Sequence, residues 1–267
     1  MTIEVSNVTK WFALPDGGEA QALAETSFWV ADGEFVVIVG PSGCGKTTIL
    51  NMMAGLVMPT AGAIAIDGRP INGPGIDRGV MFQDYALFPW RTVEGNVGFA
   101  LEHGPAGAAM DEAARARRIA ETIALVGLKG SEHKYPHQLS GGMRQRVAFA
   151  RLLAYGPKVL LMDEPLAALD AQTRTILQEE LLRVWGQALP AAERRTVVFI
   201  THAIDEAVFL ADRIIVMGNG PGRVRDIVPV DLPRPRGDAT RVDPRFQELV
   251  QKIWGQIKNE AYRAATA

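Results

Sequence analysis

The apolar run FVVIV at 35–39 leads without a break into GPSGCGKTT at 40–48 and then into the helical pattern TTILNMMAGL. Five consecutive apolar residues rich in valine suit a strand buried on both faces, and a helix that follows at once must fold back over the sheet. Residues 40–47 fit G-x-x-x-x-G-K-[ST]. Gly40, Gly43 and Gly45 let the loop amides, including those of Ser42 and Cys44 after Pro41, turn inward around phosphate oxygens, and the helix N-terminus adds positive potential there. Lys46 is placed to reach β- and γ-phosphates and Thr47 to offer its hydroxyl to Mg²⁺, with Thr48 beside them. A glycine-rich turn that binds nothing is the alternative, and the strand and helix on either side weigh against it.

Two further runs, KVLLM at 158–162 and TVVFI at 196–200, have the same two-sided apolar character. Together they predict a wound α/β core of the phosphate-loop (RecA-like) kind. IEVSNV at 3–8 and TSFWV at 26–30, joined through the turn-rich PDGGE, predict a smaller antiparallel β subdomain at the N-terminus. From Phe88 to Tyr155 the pattern is helical: Asp111 can cap a segment whose Ile119, Ile123 and Val126 share a face, and Gly127 can end it. This reads as a helical insertion at about 88–155, inside a domain spanning 1–217. In the extension 218–267, Asp243 can cap a helix with an apolar stripe of Phe246, Leu249, Val250, Ile253, Trp254 and Ile257.

Composition narrows the classes. A 267-residue chain with 48% hydrophobic residues can build a real core, and a net charge of -2 argues against a nucleic-acid footprint over the whole molecule. The apolar runs fall far short of the roughly 20 residues that span a bilayer, and MTIEVSNVTKWF lacks the parts of a signal peptide. With Cys44 as the single cysteine, no internal disulfide is possible, and a cytoplasmic setting follows most simply.

VLLMDEP at 159–165 ends a buried strand in two carboxylates, at the sheet edge where α/β folds bind ligands. Asp163 is the candidate for Mg²⁺, and Glu164 the candidate general base for an attacking water. His202 follows TVVFIT and opens AIDEAVFL, so it reaches the same edge and suits contact with a γ-phosphate. His103, His133 and His137 have no such placement. Cys44 lies beside the helix dipole, which favours a thiolate, but it reads better as a small filler of the loop.

QLSGGMRQR at 138–146 sets a second glycine-led helix start, Ser140-Gly141-Gly142, before a helix whose Val147, Phe149, Ala150 and Leu153 form a buried face ended by Gly156-Pro157. One nucleotide in one chain does not need both starts. A two-fold dimer resolves the duplication, because each chain's SGG can then close over the nucleotide held by its partner.

With these motifs in place the chain resembles the nucleotide-binding subunits of ATP-binding cassette (ABC) transporters over nearly its whole length, LSGGMRQR being the most specific element. The resemblance implies ATP and Mg²⁺ as ligands and a second copy of the chain as partner. It implies an adenine-stacking aromatic at Phe12, with Trp11 as competitor, and a glutamine sensing Mg²⁺ and water at Gln83. It also implies a role across the dimer for Asp170, which can equally cap the next helix. Near Gln83, the cluster Tyr85, Leu87, Phe88, Pro89 and Trp90 falls where the family receives short helices of membrane subunits; about half should simply pack in the core. LFPWRTVEGNV, PGRV and VDLPRPR look most like ATPases of nitrate, sulfonate or taurine importers, which implies an indirect link to a solute-binding protein and a peripheral place on the cytoplasmic face of the inner membrane. An importer of another small solute, or a soluble ABC ATPase uncoupled from transport, are the other readings.

Overall fold

The computed structural model describes residues 1–104 and 106–266, with side chains to 258. Strands β1 (Ile3–Ala13) and β2 (Glu19–Val30) form a long hairpin, and β4 (Ala61–Ile66) and β5 (Arg69–Pro70) extend it into an antiparallel sheet of order β2-β1-β4-β5. The central sheet uses β3 (Phe35–Val39), β6 (Arg78–Met81), β7 (Val159–Asp163), β8 (Thr196–Ile200), β9 (Arg213–Gly218) and β10 (Arg223–Pro229). Its order is β10-β9-β3-β8-β7-β6, parallel throughout except for β10 at the edge.

The apolar runs are continuous because both faces of this sheet are covered. On β3, Phe35, Val37 and Val39 enter one core while Val36 and Ile38 enter the other. The second core is closed by α1 (Lys46–Ala54) and the antiparallel sheet, through Ile49, Met53, Ile3, Val5 and Ile64. The first is closed by α2 (Val93–His103), α3 (Glu112–Leu125) and α4 (Gly141–Tyr155), and by α5 (Ala171–Trp185) and α6 (Ile204–Leu210). Each fully buried Val, Leu, Ile or Phe contributes about 1.5–3 kcal/mol, so strands buried on both faces anchor the molecule. Asp111 caps α3, accepting from the Ala114 amide at 2.7 Å, and Gly127 turns the chain away at φ 66°.

The C-terminal segment is woven into this core. The division expected at 217/218 falls inside the β9–β10 hairpin, so the extension supplies a strand of the central sheet. After α7 (Asp238–Arg241) comes α8 (Pro244–Thr266), with the Asp243 carboxylate accepting from the Arg245 amide at 2.9 Å. Phe246 and Ile253 are buried, and Leu249, Val250 and Ile257 pack beside them on the chain's own first core. Trp254 departs from the expected stripe: at the stripe's margin on the helix, it remains 58% exposed. In VDLPRPR, Arg236 is buried and donates to the carbonyls of Val208, Phe209 and Ala211, which α6 leaves unpaired at its end. Burial, reinforced by Arg234, pushes its guanidinium down to about 9.

Candidate active site at a shared strand edge

Neighbouring parallel strands must end on the same side. The loops after β3, β8, β7 and β6 therefore open at one edge, and these loops carry residues 40–47, His202, Asp163–Glu164 and Gln83 in turn.

In the loop after β3, Gly43 and Gly45 take left-handed conformations at φ 78° and 84°. A Cβ on Gly45 would lie 2.7 Å from Cδ2 of Leu23, and one on Gly40 would lie 2.6 Å from the Met217 carbonyl, so only glycine fits against these walls. Gly45 caps α1 without a side chain, leaving the first helical amides to a ligand. The Lys46 ammonium lies across the loop, donating to the carbonyls of Gly40 and Pro41, both at 2.9 Å. Cys44 is fully buried, and burial pushes its thiol up against the opposing influence of Lys46. The thiolate reading thus gives way to the filler reading.

Thr47 begins α1 beside β7 and donates its hydroxyl to Oδ2 of Asp163 at 2.7 Å. Burial raises the Asp163 carboxyl, Thr47 opposes the rise, Glu164 adds to it and Lys46 opposes it. A hydroxyl and a buried carboxylate beside a phosphate loop suit Mg²⁺, which takes one or two carboxylates, waters and substrate phosphates. Among the described residues no cluster of three or more His, Cys, Asp or Glu side chains offers a metal cage.

Glu164 turns off the strand at φ 48°, a conformation that costs a non-glycine residue on the order of 1–3 kcal/mol and persists only when its surroundings hold it. Its amide donates to the Ile200 carbonyl at 3.0 Å, and the Gln145 side chain donates to its carbonyl at 3.3 Å. This aims the carboxylate at His202, whose Nδ1 lies 3.3 Å from Glu164 Oε2; the carboxylate is 21% exposed and the imidazole 66%. Lys46, Thr47, Asp163, Glu164 and His202 therefore meet at one edge.

Other expected residues stand apart from this cluster. Gln83 is exposed just past β6, and among the described residues no hydrogen bond joins it to Thr47 or Asp163. Tyr85 and Ala86 follow in left-handed conformations, with both carbonyls held by Arg151 of α4 at 2.9 and 2.7 Å. Phe12 and Trp11 are both exposed on β1, so burial does not choose between them. Their strand borders the loop, since Lys10 pairs in register with Leu23, the neighbour of Gly45. Ser140 caps α4, its hydroxyl accepting from the Met143 amide at 3.3 Å. Gly142 abuts Leu169, at the start of the turn in which Asp170 caps α5 by accepting from the Thr173 amide at 2.9 Å.

Two contributors went unread in the sequence. Gln145 sits within the quoted QLSGGMRQR, but its partner, a main-chain carbonyl on another loop, has no sequence signature. Gly222 sits in PGRV: its amide donates to the Ala22 carbonyl at 3.1 Å, and a Cβ there would lie 2.2 Å from the Cys44 carbonyl. The Asn219 amide reaches the Ser42 carbonyl at 3.5 Å in the same turn.

Sheet order, glycine loop and paired carboxylates define a phosphate-loop nucleotide hydrolase. The profile of the ABC transporter family matches residues 23–167. An uncharacterized ABC transporter ATP-binding protein of Methanocaldococcus jannaschii is 49% identical, over 98% of this chain and 93% of its own length. A nitrate import ATP-binding protein of Synechococcus elongatus is 46% identical over 91% of this chain and 86% of its own. A bicarbonate transport ATP-binding protein of Synechocystis is 48% identical over 94% of this chain, which spans 37% of that longer protein. A dimeric ATP-binding cassette in a post-hydrolysis state, bound to ADP and Pi, superposes with a TM-score of 0.75 at 33% identity, covering 88% of this chain and 99% of that one. The chain belongs to the ABC transporter family and is an ATP-binding, ATP-hydrolysing subunit. None of its described helices is long and apolar enough to cross a membrane.

Proposed function

We propose that this subunit powers a bacterial importer of a small anion of the nitrate, bicarbonate or sulfonate kind, and that it works as a homodimer with two ATP molecules at its interface. The observation that carries the catalytic reading is the meeting of Lys46, Thr47–Asp163 and Glu164–His202 at one strand edge. The anion reading rests on the nitrate and bicarbonate transport relatives, and the dimer on the dimeric cassette.

In this reading the backbone amides that follow Pro41, from Ser42 to Thr48, cradle the triphosphate and Lys46 draws charge from its β- and γ-oxygens. Thr47 and Asp163 would hold Mg²⁺, which would supply further positive charge at the phosphates, and Gln83, which stands apart from them in this structure, would sense the ion and the water on closure. Glu164 takes a proton from the attacking water as the bond to the γ-phosphorus forms and the bridging P–O bond breaks. His202 donates to the γ-phosphate. Phe12 stacks on adenine, and Ser140, Gly141 and Gly142, with Asp170 beside them, complete the partner's site.

Coupling to membrane subunits falls to a groove of about 610 Å³ lined by Leu56, Ala86, Phe88, Phe99, Arg151 and Tyr155. Tyr85 and Leu87 pack inward while Trp90 stands 71% exposed at this side of the molecule. An apolar trough of this size suits a short helix of a permease subunit, and one helix, α4, carries both Ser140 and the Arg151 that holds the groove's wall. Helical residues 88–155 then form the subdomain that moves with the permease. The subunit sits peripherally on the cytoplasmic face, with a solute-binding protein acting through the permease.

Glu164→Gln tests the chemistry: ATP binding is retained while turnover falls on the order of 10²- to 10⁴-fold, the scale of a positioned base. Wild-type turnover in that variant removes Glu164 from the role. For coupling, a multispanning protein that copurifies with the chain is reconstituted, and nitrate, bicarbonate and sulfonates are compared as stimulants of its ATPase.

A further inference from the structure

Behind the nucleotide edge lies a carboxylate that the chemistry above does not use. Glu206 on α6 is 3% exposed, and burial holds its carboxyl above the usual range. An apolar residue would fill a core position at less cost, so its partners matter. The Thr201 hydroxyl, just past the end of β8, opposes that rise and accepts from the Ala203 amide at 3.0 Å, which holds the turn around His202. Gln178 of α5 donates to Glu206 Oε1 at 2.9 Å, and the same amide's oxygen accepts from Arg241 at 2.6 Å. Arg174 of α5 lies close enough to act on the carboxylate electrostatically, and its own guanidinium donates to the Leu169 carbonyl at 2.8 Å, beside Asp170.

The helix that follows the His202 loop, α6, and the helix that Asp170 caps, α5, are thus joined through one buried carboxylate, with Arg241 of the C-terminal segment closing the chain of bonds. We propose that Glu206 is a positioning residue for ATP hydrolysis, fixing the His202 loop and the Leu169–Asp170 turn to each other so that both meet the nucleotide in register. This rests on the assignment of His202 to the γ-phosphate. None of the Glu206 partners touches the phosphate loop's own hydrogen bonds, so losing the carboxylate leaves nucleotide capture alone.

The test uses the full chain and separates binding from turnover. Glu206→Ala keeps ATP affinity and lowers kcat on the order of 10- to 100-fold, the scale of a small misplacement of a reacting group. Glu206→Gln, which keeps an acceptor in the same place, returns kcat close to wild type. Thr201→Val, which removes only the hydroxyl, lowers kcat in the same direction and serves where the alanine variant does not fold. In a His202→Ala background, Glu206→Ala or Thr201→Val adds little further loss, because the interaction they support is already gone. Unchanged kcat in folded Glu206→Ala or Thr201→Val overturns the proposal, as does a full additional loss on top of His202→Ala. If His202→Ala itself turns over ATP like wild type, the γ-phosphate assignment falls and this proposal with it. Impaired His202→Ala with additive losses leaves that assignment standing and removes only the role of Glu206.

Discussion

Helices α1 and α4 both start on glycines beside a hydroxyl, but α1 leaves its first amides open, whereas Ser140 closes one of α4's with its own side chain. The start of α1 is also walled in by Leu23, Met217 and Gly222, while Ser140 is exposed, Gly141 faces open space and only Gly142 backs onto Ala168 and Leu169. An anion site built from open amides in a fixed loop can work alone. A capped, exposed helix start has weaker pull of its own, and its Ser140 hydroxyl keeps a proton to donate once something is brought to it. The contrast is one between a site that captures and a site that completes.

The largest expected effect sets the two starts against each other. Lys46→Ala weakens ATP binding and lowers turnover on the order of 10²- to 10³-fold, the scale for loss of a charge-stabilising donor. Ser140→Arg abolishes turnover by blocking closure yet binds ATP like wild type in a monomer titration. Mixed in equal amounts, the two inactive chains recover hydrolysis, since one composite site in the heterodimer keeps both Lys46 and Ser140. Failure of any mixture to recover activity breaks the division into capturing and completing halves.

A smaller effect distinguishes capping from catalysis at the second start. Ser140→Ala removes the acceptor for the Met143 amide and costs about 0.5–2 kcal/mol of stability, seen as a lowered Tm. Gly45 has no side chain to lose, so α1 offers no counterpart to this measurement. The smallest effect is expected at Cys44. Because burial raises its thiol, the thiolate fraction at neutral pH is below that of an ordinary cysteine and grows only as pH climbs past the usual thiol range. Mass spectrometry after iodoacetamide treatment near pH 7.5 should find Cys44 largely unmodified and ATPase activity unchanged; rapid alkylation would show that the loop opens far more than its packing allows.

The same contrast explains what could be read in advance. The phosphate loop is contiguous, and its strand is apolar on both faces, so FVVIV-GPSGCGKT announces both fold and ligand within thirteen residues. VLLMDEP and TVVFITH were legible for the same reason. Short strands were not: RGVM at β6 is too brief to carry a pattern, and β9 and β10 reveal their pairing only in the sheet. Trp254 looked like part of a stripe because spacing along a helix does not tell where the covering surface ends. Gln145 and Glu206 escaped because each acts through a partner remote in sequence, the first on a main-chain carbonyl that any residue could supply and the second on the side-chain amide of Gln178.

The turn at 219–222 bears on how this chain can be cut and joined. Asn219 and Gly222 touch the loop at Ser42 and Cys44, and Gly222 also ties down the β1–β2 hairpin through Ala22 and Ala24. A truncation or fusion junction placed at 217 would therefore remove a side of the nucleotide pocket along with a sheet strand. Grafting a foreign regulatory module onto this ATPase calls for a junction beyond Ile257, after the last side chain of α8 that packs on the first core.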